Sequence, residues 1–177
     1  MLKLPFRLLR ATQGVAAVEF ALLAPFLAVL LMGTIELCNA LECRQKVSSE
    51  TSSVADLVAQ ASSVSDADLT NIFNAGNSIL YPFAPNNVTV VVSSIVNQPD
   101  GTNIVAWSKQ YNGGAQLQQN SQVTVPAGII AAGGSAVFVQ VAYNNTSPIG
   151  QFIFGTIAMG DSFYARPRQS VKVLYNP

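Results

Sequence analysis

The sequence predicts an α+β protein: a long N-terminal helix, membrane-spanning in its first half, then a domain that closes in antiparallel sheet. Three observations carry this. Sixteen residues from Phe20 to Ile35 pass without a charge. From Leu37 to Ala61 there is no Gly or Pro, and Val47, Thr51, Val54, Val58 and Ala61 recur at helical spacing. Beyond Pro82 and Pro85 the chain turns to β-branched and aromatic runs punctuated by Gly, Asn and Pro.

Residues 1–14 read as a basic leader, with Lys3, Arg7 and Arg10 and no acid. A helix over residues 15–37 has 23 residues. At 1.5 Å per residue it spans roughly 34 Å, enough for a hydrocarbon core of about 30 Å. The leader positives place the N-terminus in the cytoplasm by the positive-inside rule, giving a single pass through the inner membrane and a periplasmic C-terminal domain. Residues 38–64 extend the helix outside the membrane, and residues 65–177 form the α+β domain. Within it, Ser65 and Asp68 resemble a capping box opening a helix from about Asp66 to Leu80. Leu69, Ile72, Phe73, Gly76 and Leu80 share one face of that helix, and Pro82 and Pro85 end it.

Four strands are expected: 87–96, 102–111, 122–126 and 135–143. The closing stretch 151–175 suggests a short apolar turn or helix and a last strand. Pro167 marks that strand as an edge or a broken one.

The composition excludes several functions. Lys+Arg and Asp+Glu balance at nine each, 10% of residues are charged and 50% are hydrophobic, which argues for a packed core over disorder. No basic run tracks phosphates, so no nucleic-acid partner is expected. Histidine is absent, removing the commonest general base and metal ligand. Cys38 and Cys43 are not spaced as a zinc or redox pair. On one helix they lie too far apart for an intrachain bridge, which leaves two small apolar residues or a bridge between chains. No phosphate loop, dinucleotide glycine fingerprint, GxSxG elbow or HExxH occurs, so no catalytic residue, cofactor or metal is assigned. The acids beyond the membrane, Glu42, Glu50, Asp56, Asp66, Asp68, Asp100 and Asp161, are expected on helix faces, in a cap and in turns. Asn87, Asn144 and Asn145 begin short sequons that matter only in a glycosylating host.

The N-terminal segment is the specific one. A secretory signal has a shorter apolar core and a small-residue cleavage site, whereas the only candidate end here is "LCNA" after Glu36. A lipoprotein signal fails because Leu37 precedes Cys38 and Glu42 precedes Cys43. An uncut transmembrane anchor explains everything except Gly14 and Glu19. "QG" followed by "VAAVEF" resembles a type IV prepilin cleavage site: a basic leader ending in glycine, then an apolar segment with Glu19 fifth and Phe20 sixth. More narrowly, "GVAAVEFALLAPFLAVLLMGTIEL", with Pro25 and Glu36, resembles the TadE-like proteins of tight-adherence (Flp-type IVb) pilus systems. The β-rich C-terminal part, ending in an Arg-containing stretch, is similar to theirs too.

That resemblance implies a minor pilin or pseudopilin, not an enzyme, cut by a prepilin peptidase between Gly14 and Val15 on the cytoplasmic face. Its partners are then the peptidase, other pilins and pseudopilins, and inner-membrane pilus assembly proteins. Glu19 pairs with the new Val15 amine of an adjacent subunit during assembly; the plainer alternative seats it in the headgroups at a helix N-terminus. Pro25 removes one helical hydrogen bond and frees the Ala21 carbonyl, so a kink or melted turn is expected there. An uncleaved, membrane-anchored periplasmic binding domain is the other reading of the whole chain.

Overall fold

A computed structural model describes residues 14–147 and 155–177. The chain divides into two compact units between Asn39 and Ala40. Helix α1 runs from Val15 to Gln60, 46 residues, and passes through Pro25 without a break, so the melted turn does not form. Continuing the helix through Pro25 gives up one backbone hydrogen bond, whereas melting the turn would give up several. In the first unit the side chains of α1 are mostly apolar and exposed, among them Val18, Phe20, Leu22, Phe26, Val29 and Leu30, with Glu19 and Glu36 as its acids. This is the one helix among the described residues that is long and apolar enough to cross a membrane.

From Ala40 onward the pattern of α1 changes from all-round apolar to amphipathic. Cys43, Val47, Thr51, Val54, Ala55, Val58 and Ala59 are buried. The stripe expected from spacing is therefore the core face, with Ala61 half-buried just past the helix end. A two-residue strand β1 (Ser63–Val64) leads into α2 (Asp66–Ile79). The capping box forms as expected: Ser65 Oγ accepts from Asp68 N–H, and the Ser65 N–H donates to Asp68 Oδ2 at 2.9 Å. Leu69, Phe73 and Gly76 are the buried face of α2.

The sheet is built from β2 (Val88–Asn97), β3 (Asn103–Tyr111), β4 (Ser135–Asn145) and β5 (Ile157–Ala165), antiparallel throughout in the order β3-β2-β4-β5. Alternation along β2 and β4 sends Val88, Val90, Val92, Val137, Val139, Val141 and Tyr143 to the face that shares a core with α1 and α2. A final strand β6 (Leu174–Tyr175) pairs in parallel with β1, a small second sheet that the sequence did not suggest. It is pinned from below by Trp107, whose indole N–H donates to the buried Val173 carbonyl at 2.8 Å.

The expected strand at 122–126 does not form. Pro126 has no N–H to give, and the segment keeps only one bridge, Ile104↔Gln122. Residues around it still serve the sheet. Val105 N–H donates to the Ser121 carbonyl and Val123 N–H to the Asn103 carbonyl, so this loop covers part of the outer edge of β3. Upstream, Gly114 lies on the outer face of β2, where a Cβ would meet Val91 Cγ2 at 2.6 Å; only glycine fits that approach. β5 ends at Ala165, two residues before Pro167, and is indeed an edge. Of the turn or helix expected early in 151–175, residues 151–154 lie outside the described residues.

Candidate functional site

Gly14 is exposed and immediately precedes α1, and Val15 is its first residue, half-exposed at 51%. Nothing crowds Gly14: a Cβ there would meet no atom within 4 Å. Among the described residues, its glycine identity is therefore not demanded by packing or by a positive φ. Glu19 is exposed and sits four residues along α1, about 6 Å along the axis from Val15. Phe20, 65% exposed, adjoins it, and Pro25 follows less than two turns later. The five residues named from sequence thus lie on one short stretch, an apolar helix start bearing a single carboxylate. The first turn of α1 carries no acid, so Glu19 stands a full turn inside the helix and is not its N-terminal cap.

The domain half of α1 holds a second acid that sequence reasoning placed on a helix face and that the fold buries completely. Glu50 has no exposed surface, and neither of its carboxylate oxygens has a hydrogen-bond partner. Burial alone pushes its pKa up from 4.5 to about 7. It is wedged between α1 and α2: a Cβ on Gly76 would meet Glu50 Oε1 at 3.2 Å and Val54 Cγ2 at 2.8 Å. The signal was present in the spacing. Position 50 lies three residues after Val47 and four before Val54, on the same stripe. Asn77 Oδ1, next to Gly76 in the chain, is also buried without a donor, as is Ser94 Oγ.

Both cysteines are free. Cys38 is exposed; Cys43 is buried, and burial, with a smaller contribution from the Glu42 charge, pushes its thiol up to about 11. A thiol so protonated is a packing group and a poor nucleophile. Among the described residues no three His, Cys, Asp or Glu side chains gather as a metal site. An open groove of about 860 Å³ runs between Ser52–Leu57 of α1 and Phe163–Arg168 at the end of β5, and its acid, Asp56, is paired with Arg168. Asp68 lies in the cap and Asp100 in a turn, accepting from Thr102 N–H at 2.9 Å, as expected, whereas Asp161, expected on a helix face, in a cap or in a turn, lies in the middle of β5 opposite Val141.

Residues 14–56 match the family model described as TadE-like protein. The match opens on Gly14, spans the apolar half of α1 and continues into its buried half, past Glu50. No curated protein and no solved structure matches the chain.

Proposed function

We propose that this chain, TadE-like over residues 14–56, is a minor pilin or pseudopilin that takes part in building a Flp-type (Tad) pilus. The observation that carries the proposal is a coincidence of two kinds of evidence on one residue. The family match begins at Gly14, and neither crowding nor a positive φ among the described residues requires a glycine there.

The chemistry follows from that position. A prepilin peptidase cuts between Gly14 and Val15, where an exposed glycine without Cβ lets the backbone lie extended in a protease cleft. The cut removes Lys3, Arg7 and Arg10 and turns the Val15 amide into a free amine. In an inner-membrane pool of subunits, that amine and the Glu19 carboxylate of a neighbour form an ion pair among apolar helices. Screening there is weak, so the pair fixes axial register more than it adds stability. Until it forms, the carboxylate sits near the membrane surface, where its cost is small. The exposed apolar faces of α1 are what neighbouring helices would cover. The domain from Ala40 onward stays on the periplasmic side, and the protein acts by packing and register rather than by catalysis.

The test is the mature terminus. Mass spectrometry and N-terminal sequencing of the protein from piliated cells should give a chain starting at Val15, and Gly14→Leu should leave the precursor uncut in the membrane. An intact leader in pilus-competent cells would overturn the proposal in favour of an uncut anchor. Reporter fusions after Pro177 give an independent reading: a periplasm-active reporter should work and a cytoplasm-active one should not.

A further inference from the structure

The two edges of the main sheet are finished differently. The outer edge of β3 is partly occupied by the chain itself, through Ser121 and Val123 on Val105 and Asn103. Among the described residues, no strand lies beside the outer edge of β5. It is nine residues long, pairs with β4 without a bulge, and contains neither Lys nor Pro, the usual devices that blunt a free edge. The hydrogen-bonding alternation can be followed across the sheet. Asn97 N–H donates to the Gly134 carbonyl, which fixes the odd residues of β2 as those bonded to the even residues of β4. The odd residues of β5 then bond to β4, and Gly160, Ser162 and Tyr164 turn their backbone groups outward. Ser162 confirms this: its N–H is taken by its own neighbour's carboxylate, Asp161 Oδ1, at 2.8 Å, and not by a β4 carbonyl.

Beside this edge lies the 860 Å³ groove, whose apolar wall is Leu57 and Phe163, both well exposed for their type. The charges around the edge are asymmetric. Asp161 stands exposed at mid-strand, while past the C-terminal end Arg166 donates to the carbonyls of Gly128 and Ile129 and pairs with no carboxylate among the described residues. Two copies of β5 laid against each other would bring two Asp161 carboxylates onto one short ladder, an unfavourable arrangement. A foreign strand with a cation opposite Asp161 and an acid near Arg166 meets no such conflict.

We propose that the β5 edge takes an added strand from a different protein. Its extended segment bonds to the outward backbone groups of Gly160 and Tyr164 and to the Ser162 carbonyl, seats an apolar side chain on Leu57 and Phe163, and offers a carboxylate to Arg166. Main-chain pairing supplies the affinity, and the 161/166 charge pattern supplies register and partner choice. The inference holds whether or not the leader is cut, because it concerns the domain alone.

A photo-crosslinking benzoylphenylalanine placed at Ser162 of the full chain, in its native cells, tests it, with the same probe at Gln110 on β3 as the control edge. The expected result is an adduct from position 162, absent from 110, that maps by mass spectrometry to one contiguous segment of another protein bearing an acid. Arg166→Glu should lower the adduct yield by about fivefold or more, and reversing the mapped acid should restore it. Because Arg166 also ties down a loop, Asp161→Lys at its exposed site serves as a second charge reversal with the same expectation. No adduct at 162, equal adducts at both edges, an adduct only between copies of this chain, or a yield indifferent to both reversals would each overturn the proposal.

Discussion

Glu19 and Glu50 occupy one helix and face opposite problems. Glu19 is exposed in an apolar stretch that is long enough to cross a membrane and that, under the proposed function, lies among hydrocarbon and other helices. Glu50 is sealed inside a folded domain, with no exposed surface and no partner for either oxygen. Under the proposed function the first finds its partner outside the chain, in recognition between subunits. The second has none and lowers its cost by holding a proton, since a buried carboxyl gives up its charge before it gives up its place. An unpartnered acid thus reads as assembly chemistry in one half of α1 and as pH sensitivity in the other.

The largest expected effect belongs to Glu19. Glu19→Gln should insert and be cut at Gly14 as in the wild type, yet support on the order of a hundredfold fewer pili. Removing one partner of a desolvated charge pair costs about 3 kcal/mol or more, much of it from the amine left unpaired. Glu50→Gln in the same assay should pilate normally, because nothing outside the domain touches that side chain. Pili counted by electron microscopy at matched expression decide it. Equal piliation by the Glu19 variant would collapse the contrast, leaving Glu19 as a headgroup acid.

Next in size is the pH dependence that Glu50 imposes. Its folded pKa of about 7 lies above the 4.5 of a free glutamate. The unfolded chain therefore releases the proton first, and stability falls as pH rises from 4.5 to 7, then levels off. The shift corresponds to about 3 kcal/mol across that window. Urea unfolding of the full chain in detergent, followed by Trp107 fluorescence, should show it, since the indole is buried and bonded to the Val173 carbonyl. Glu50→Gln should flatten the dependence between pH 5 and 8. An unchanged slope in that variant would mean that another group carries it.

How far the sequence reached depended on how local the cause was. The apolar run, the stripe at Val47, Val54 and Val58, and the Ser65–Asp68 cap are each written within a few residues, and each forms where its spacing puts it. Three strands of the main sheet appear within two residues of their expected limits, because β-branched runs between turn residues mark them. What failed to show was set by distant partners. The pairing of β1 with β6 joins residues more than a hundred positions apart, and no two-residue run announces it. The segment 122–126 had a strand's composition but a proline at its end, and of its residues only Val123 gives a backbone hydrogen bond to β3, to the Asn103 carbonyl. Glu50 lay on the stripe in plain spacing, but a charged residue among buried ones is normally assigned to solvent, and only the Gly76 notch opposite reveals why it fits inside.

The smallest effect sharpens the comparison from the other side. Asp68 is a satisfied acid of this domain: its carboxylate accepts the Ser65 N–H and hydroxyl, and those bonds hold its pKa below the usual carboxylate value. Its linkage has the opposite sign to that of Glu50. A depressed folded pKa contributes stability above the unfolded value, and that contribution is lost as pH falls through the folded one. Stability should therefore climb as pH drops from 8 towards 5 and turn down again below 4, once the cap protonates. Ser65→Ala removes the hydroxyl half of the box and should cost about 1 kcal/mol near pH 6, the usual worth of a serine N-cap. It should also shrink the downturn below pH 4, because Asp68 then has less to lose on protonation. Unfolding curves of wild type, Ser65→Ala and Glu50→Gln from pH 3 to 8 separate the two limbs. If Ser65→Ala changed the limb above pH 5 instead, the two acids would not be independent, and the cap of α2 would have to be coupled to the buried carboxyl beside Gly76.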